Sequence, residues 1–100
     1  MNVLAQHQET IEVLCRRHRV KNLYAFGSAL TDRFGEDSDI DLVVEFDHVE
    51  LERYADNYFD LLFALEDLLG RKVDLLEAQA IRNPFFRQAV EAKRRLLYAA

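Results

Sequence analysis

The sequence has one cysteine, no tryptophan, three glycines and one proline among its 100 residues. A single cysteine, Cys15, cannot close an intramolecular disulfide or complete a structural zinc site alone, so stability must come from packing and hydrogen bonds. The spacing of Gly27, Gly35 and Gly70 fits neither the dinucleotide-binding fingerprint nor the Walker phosphate loop. These absences exclude a disulfide scaffold and both of these glycine-rich phosphate sites.

Long apolar runs and an excess of positive charge are also absent. The longest apolar run, Leu61–Leu65, is far shorter than the roughly 20 residues that cross a bilayer, and the N-terminus has no signal-peptide pattern. The cytoplasm is therefore the predicted location, with no membrane partner. Thirteen basic and 18 acidic residues give a net charge of −5, which argues against stable binding of nucleic acid. With 50% apolar residues, the chain is predicted to fold as one domain over residues 1–100.

The charge is distributed unevenly along the chain. Most acidic residues lie between Asp32 and Asp67, a stretch in which only Arg33 and Arg53 are basic. Basic residues cluster instead near the end of the first predicted helix and along the last one. Two interpretations are open: the cations complement the dipoles at helix C-termini, or they steer a polyphosphate or an acidic partner.

The hydrophobic pattern of the N-terminal half predicts helices and two strands. Apolar residues at helical spacing predict an amphipathic helix over roughly the first 18 residues, with Cys15 on its core-facing side. Residues 22–26 predict a short strand that ends at Gly27-Ser28, where Ser28 would cap a brief helix over residues 29–34. Residues 39–46 alternate in polarity, which predicts a half-buried strand with one acidic face.

The C-terminal half is predicted to contain two helices separated by a strand. The first helix ends at Gly70, and its aromatic residues at helical spacing favour core or dimer contacts over base stacking: Tyr54, Tyr58 and Phe59. Residues 72–76 predict the strand. Asn83-Pro84 predicts the start of a final helix, whose inward face would carry Phe86, Ala89, Val90 and Leu97. The order α-β-α-β-α-β-α predicts an α/β (α+β) domain with one mixed sheet covered by helices.

Three aspartates carry the functional argument. Asp39 and Asp41 are two residues apart in a predicted strand, so their carboxylates project from one face, with Cα atoms about 6.5–7 Å apart. Like charges placed side by side repel each other, and a divalent cation between them would reverse that cost. Mg²⁺ suits such oxygen ligands, and Asp74 in the next strand is the natural third one. Three converging carboxylates could hold two metal ions for an in-line phosphoryl displacement.

Both motifs also have interpretations that involve no ligand. Acidic residues on a solvent-facing edge strand guard against aggregation, and Gly27-Ser28 could be a simple helix cap. The functional interpretation is that the glycine permits close approach of the backbone, while N–H groups that open a helix at Ser28 bind a polyphosphate. Gly-Ser and Asp-x-Asp occur together with ten residues between them. This combination favours a phosphate site beside a metal pair.

The chain resembles the DNA polymerase β-type nucleotidyltransferase superfamily in the run Phe26-Gly27-Ser28, followed after ten residues by Asp39-Ile40-Asp41-Leu42. It resembles most the minimal nucleotidyltransferase (MNT) branch, which includes antitoxins of HEPN/MNT toxin–antitoxin pairs. That branch has a third aspartate in a Val-Asp-Leu strand and an Asn-Pro-aromatic helix start, as in Val73-Asp74-Leu75 and Asn83-Pro84-Phe85. The similarity covers nearly the whole chain and implies the polymerase β-like fold.

The resemblance also implies a chemistry. Members transfer AMP from ATP to a hydroxyl in a Mg²⁺-dependent reaction that releases pyrophosphate. By this analogy Asp39 and Asp41 would ligate two magnesium ions, while Asp74 would ligate one of them and help to deprotonate the acceptor. Gly27 and Ser28 would hold the outer phosphates of the nucleotide.

A chain of 100 residues can build the sheet and its covering helices but leaves little room for an acceptor site. The resemblance implies that a helical HEPN-domain ribonuclease toxin supplies the acceptor, a tyrosine, and that the chain is an antitoxin acting by AMPylation. Two alternatives stay open. The chain could be a nucleotide-binding module that neutralises its partner by occlusion, or the catalytic subunit of an enzyme that modifies a small molecule. Assembly into a homo-oligomer is open as well.

Overall fold

A computed structural model of the chain describes residues 3–26 and 39–100. In chain order, the described elements are α1 (Val3–Gln6), α2 (Gln8–Arg17), β1 (Val20–Phe26), β2 (Ile40–Phe46), α3 (Leu51–Leu69), β3 (Val73–Glu77), a short 3-10 helix (Ala78–Ala80), α4 (Pro84–Lys93) and β4 (Arg95–Ala99). The brief helix predicted over residues 29–34 lies outside this described part. Of the helices described, none combines the length and the apolar character needed to span a membrane.

The four described strands form one mixed sheet in the order β3-β2-β1-β4. β1 is antiparallel to both β2 and β4, whereas β2 and β3 run parallel. A parallel pair needs a crossover connection, and α3 provides it by returning from the end of β2 to the start of β3. The prediction of one mixed sheet covered by helices is therefore confirmed.

α2 and α3 cover one face of the sheet, where the larger core lies. The alternation of β2 turns Ile40, Leu42 and Val44 to this face, and all three are buried. α3 contributes leucines at successive helical turns: Leu61, Leu65 and Leu69. Cys15 of α2 is fully buried in the same cluster, as its place in the apolar stripe predicts. Each fully buried leucine stabilises the fold by about 1.5–3 kcal/mol.

Two tyrosines of α3 also link this helix to β3. The Tyr58 hydroxyl donates a hydrogen bond to the Leu75 carbonyl oxygen at 2.5 Å, and the Tyr54 hydroxyl donates to the Glu77 carboxylate at 3.0 Å. Burial and then the hydrogen bond to Glu77 raise the pKa of Tyr54 to about 12. Its hydroxyl therefore keeps its proton, and remains a donor, throughout the neutral pH range.

α4 covers the opposite face of the sheet. Val43 of β2 packs there with Ile81 and Val90 in a smaller buried cluster. The face of β2 that was predicted to be acidic is thus apolar and covered at Val43. Of the residues predicted to face inward on the last helix, Val90 is buried but Ala89 is exposed.

The two terminal helices differ from the prediction. The first is divided into α1 and α2, because the backbone N–H of His7 bonds to the Leu4 carbonyl three residues back and tightens the turn. The last helix ends at Lys93, since Arg94 takes an extended backbone and the residues after it pair with β1 as β4. Leu97, predicted on the inward helix face, therefore lies in a strand. This pairing covers the edge of β1 that β2 leaves open.

Gly70 and Asn83 mark helix ends as predicted. Gly70 follows α3 with φ of 65°, a left-handed conformation that favours glycine. The Asn83 side-chain oxygen accepts hydrogen bonds from the backbone N–H groups of Phe85 and Phe86 at 2.9 and 3.2 Å. Pro84 occupies the first turn of α4, where its missing N–H costs nothing.

The cap at Asn83 gives a test of the fold. Asn83→Ala removes the acceptor for two N–H groups and should lower the free energy of unfolding by about 0.5–2 kcal/mol. Urea unfolding followed by circular dichroism measures the change. Asn83→Asp is the matched control, because it keeps an acceptor oxygen and should retain most of the stability. Equal losses in the two variants would show that the cap does not stabilise α4.

Candidate active site

Asp41 and Asp74 are register partners in the parallel pair of β2 and β3. Partners in neighbouring strands lie about 4.8 Å apart, and their side chains leave the sheet on the same side. The Ile40 backbone N–H donates to the Lys72 carbonyl oxygen at 3.0 Å, which holds this register at the start of both strands. Because Ile40 faces the larger core, the next residue, Asp41, faces the side of α4. The structure therefore places these two carboxylates side by side on the α4 face.

Asp39 adds a third negative charge at this end of the sheet. It is an exposed residue directly before β2. Burial, then the charge of Asp74 and then that of Asp39 raise the pKa of Asp41 above its usual value. Folding thus concentrates negative charge around Asp41, and a cation bound there would relieve the repulsion.

The predicted phosphate-binding residues, Gly27 and Ser28, lie outside the described residues, and their role stays a prediction. The last described residue before them is Phe26, which ends β1 as the register partner of Asp41. The residue directly before Gly27 is thus next to Asp41 in the sheet.

The donor chemistry of this site suits Mg²⁺. That ion usually takes one or two protein carboxylates and completes its octahedron with waters and substrate phosphates. Asp41 and Asp74 supply that number of carboxylates on adjacent strands. Within residues 3–26 and 39–100, no three or more histidine, cysteine, aspartate or glutamate side chains are grouped to hold a metal ion. The arrangement fits an open site completed by a phosphorylated substrate, and joint ligation by Asp39, Asp41 and Asp74 stays a prediction.

Residues of α4 and the loop before it form a wall on this face. Phe86 contacts Phe26 edge to face, with ring centroids 6.2 Å apart. The Arg87 guanidinium donates to the carbonyl oxygens of Ala78 and Ile81 at 3.3 and 2.6 Å. Arg87 therefore fastens the loop between β3 and α4, and this positions the wall.

A pocket of about 210 Å³ extends along β2 on the same face, beyond Asp41. Val43, Glu45 and Arg94 are among its lining residues. The Arg94 guanidinium lies 4.0 Å from the centre of the Tyr24 ring, a cation–π contact that joins the residue after α4 to β1. Sequence reasoning missed Arg94, and no periodicity or motif marks it, because its partner is distant along the chain.

The repulsion at Asp41 generates a stability prediction. Asp41→Asn removes one of the opposed charges, so at neutral pH and in EDTA it should raise the free energy of unfolding by about 0.2–1 kcal/mol. The folded-state pKa of Asp41 is raised, so the destabilisation by its charge is present above that pKa and is lost as pH falls through it. The gain in the free energy of unfolding of Asp41→Asn should therefore decrease as the pH falls.

Thermal unfolding in EDTA between pH 7 and pH 4 tests this expectation. Glu91→Gln on α4 is the control, because it removes an exposed charge outside the cluster. A destabilised Asp41→Asn protein at neutral pH would contradict the repulsion argument.

Comparison with known proteins identifies the family. The chain matches the nucleotidyltransferase domain family over residues 7–97. It is 35% identical over 89 residues to MJ1379 of Methanocaldococcus jannaschii, which is named a protein adenylyltransferase. The match covers 89% of this chain and 85% of the relative.

Two solved structures share the fold. A minimal nucleotidyltransferase is 33% identical with a TM-score of 0.77, and the match covers 95% of each chain. An MNT antitoxin of Shewanella oneidensis, solved in complex with a tri-AMPylated HEPN toxin, is 21% identical with a TM-score of 0.65, covering 97% of this chain and 73% of that one. The second likeness shows the fold alone. The family match, the 35% identical relative and the aspartates at the starts of β2 and β3 lead to one conclusion: the chain belongs to the nucleotidyltransferase domain family.

Proposed function

We propose that the chain is a protein adenylyltransferase that transfers AMP from ATP to a tyrosine hydroxyl of a HEPN-domain toxin. The observation that carries the proposal is the placement of Asp41 beside Asp74, with Asp39 close enough to act on the pKa of Asp41. The adenylyltransferase name of the relative MJ1379 and the AMPylated toxin bound to the Shewanella antitoxin support the choice of reaction and partner.

Each predicted site residue has a role in this proposal. Asp39, Asp41 and Asp74 would ligate magnesium, which when bound supplies positive charge against the triphosphate and the developing negative charge. Gly27 and Ser28 would hold the outer phosphates of ATP through backbone N–H groups and the serine hydroxyl. Together, the carboxylates as metal ligands and the Gly-Ser pair as the phosphate-binding group would make a complete nucleotide site.

The proposed reaction is an in-line displacement at phosphorus. The acceptor oxygen forms a bond to the α-phosphorus while the bond from that phosphorus to the bridging oxygen of pyrophosphate breaks. Asp74 would accept the proton that the hydroxyl loses, because it is the exposed member of the adjacent pair and can reach an incoming group. Pyrophosphate carries away the electron pair of the broken bond.

A direct transfer assay tests the activity. The chain, α-labelled ATP, Mg²⁺ and the HEPN protein of the same cell should yield a labelled HEPN protein, and EDTA should remove the label. Absence of label under conditions in which the two proteins bind each other would contradict the proposal. Labelling of an aminoglycoside-like hydroxyl, with none on protein, would instead favour the small-molecule alternative.

A charge-neutral double variant separates catalysis from occlusion. Asp39→Asn with Asp41→Asn keeps size and shape but removes the proposed metal ligands, so transfer should fall by at least about a thousandfold. Asp47→Asn, an exposed aspartate beyond the other end of β2, is the matched control and should keep full activity.

Inhibition of the HEPN ribonuclease is the second measurement with these variants. If AMP transfer neutralises the toxin, the double variant should bind it without lasting inhibition once the complex is dissociated. Full inhibition by the double variant in the complex, with no covalent change to the toxin, would show occlusion and overturn the catalytic mode.

A further inference from the structure

The outer side of α3 carries a row of exposed aromatic and acidic residues. Its inner side is fixed in the larger core by leucines. Its outer side presents, at helical spacing, residues that we call the acidic aromatic stripe: Glu52, Asp56, Phe59, Asp60, Phe63 and Asp67. All six are exposed, so the stripe is a continuous surface along most of the helix.

Phe59 and Phe63 form an apolar centre within the stripe. They are 48% and 56% exposed, and their rings stack with centroids 6.0 Å apart and 26° between the planes. Tyr58 extends the group by an edge contact with Phe59 at 5.1 Å. A single exposed apolar residue on a surface is ordinary, but adjacent stacked phenylalanines form a patch of the kind found at protein interfaces. Helical spacing alone predicted core or dimer contacts here, and Phe59 lies outside the core.

The acids around the two phenylalanines are not paired with basic residues in the part of the chain that the structure describes. Asp56, Asp60 and Asp67 form no ion pair with any residue in the described ranges 3–26 and 39–100. Arg53 is the one basic residue within α3. The patch is therefore apolar at its centre and negatively charged around it, a pattern that a basic surface with apolar residues between its cations would complement.

We propose that the acidic aromatic stripe is the docking surface for the HEPN partner, which would contact it with a helix carrying Lys or Arg around apolar residues. The inference rests on the proposed function for the choice of partner. A second copy of this chain is the less favourable occupant, because two stripes brought together would oppose their uncompensated carboxylates at close range.

The position of the stripe separates docking from chemistry. α3 packs on the sheet face that carries Ile40 and Leu42, whereas Asp41 and Asp74 face the other side. Because α3 leads into the start of β3, its C-terminal end lies at the same end of the sheet as the carboxylates. A partner docked on the stripe thus leaves the α4 face uncovered and reaches the site around the end of the sheet at which α3 ends and β3 begins. Loss of the stripe should weaken capture of the partner, with the reaction of the captured partner unchanged.

The test compares variants of exposed residues, which should not affect folding. Phe59→Ser with Phe63→Ser should weaken binding of the purified HEPN protein, measured by calorimetry without nucleotide, by at least about tenfold. Phe85→Ser is the matched control, because Phe85 is 81% exposed but lies on α4, across the sheet; it should change the dissociation constant by less than about threefold. Unchanged binding by the double serine variant, with circular dichroism like that of the parent, would overturn the proposal.

A charge reversal decides between the two occupants. Asp56→Lys with Asp60→Lys should weaken HEPN binding and reduce its sensitivity to salt, whereas Glu91→Lys on α4 should not. Sedimentation of the chain alone tests self-association. A homodimer that the serine variant dissociates and the lysine variant does not would identify a second copy as the occupant and overturn the proposal.

Transfer kinetics keep this inference distinguishable from the proposed activity. The double serine variant should raise KM for the HEPN protein and leave kcat unchanged, since the stripe contributes equally to the bound and reacting states. A fall in kcat at unchanged KM would place the residues in the reaction and contradict a docking role. If no transfer occurs with the parent chain, the binding measurements still decide whether the stripe docks the partner.

Discussion

The register between β2 and β3 is the constraint on which the site depends. Side chains in a strand alternate between faces, so a slip of one residue would turn Asp74 into the leucine-rich core and Leu75 toward α4. The slip is prevented by apolar residues that alternate with the carboxylates on the two strands and are all buried: Ile40, Leu42, Val73 and Leu75. The hydrophobic face of the sheet thus holds mutually repelling acids together on the opposite face.

The larger core and the candidate site lie on opposite faces of one sheet. The face covered by α2 and α3 holds the larger core, while the α4 face combines a small apolar cluster with carboxylates, a pocket and the wall fixed by Arg87. Asp41 is half-buried, and its pKa is raised first by burial and then by the charges of Asp74 and Asp39, so its ionised form costs free energy in the folded state. A domain of this size can tolerate that cost because the core on the other face is nearly continuous.

Local sequence signals predicted the features that depend on local structure. The strand predicted over residues 39–46, the left-handed Gly70 and the cap at Asn83 all occur, although burial of Val43 interrupts the expected acidic face of the strand. β4 was missed because its apolar residues also fit the phase of the helix before it, and its stability comes from pairing with β1, far away in sequence. The spacing of Asp39 and Asp41 indicated the site. The proximity of Asp74 was argued from strand order and from the family resemblance, since no local spacing relates it to Asp41 and the α3 crossover determines it.

The sequence did not predict which acidic and phenylalanine residues of α3 would be exposed. Apolar residues at helical spacing occur both on the buried side of this helix and on its outer side, and the spacing alone does not distinguish the two. The orientation of the helix is determined by the leucines that pack against the sheet, and this turns the acids and phenylalanines outward: Leu61, Leu65 and Leu69. Gly27 and Ser28, in contrast, are indicated by a motif and stay predictions, with Phe26 beside Asp41 as the nearest described support.

The tyrosine hydrogen bonds from α3 to β3 have a thermodynamic consequence. Tyr58 donates a hydrogen bond to the backbone carbonyl of Leu75, the residue after Asp74, so α3 is bonded directly to the strand that carries Asp74. A protein that rigidifies this helix would also order the strand beneath it. By thermodynamic linkage, a ligand bound at the candidate site would then strengthen the protein complex by the same free energy. The crossover helix α3 would then couple the two binding events, and each ligand would raise the affinity for the other by the same factor.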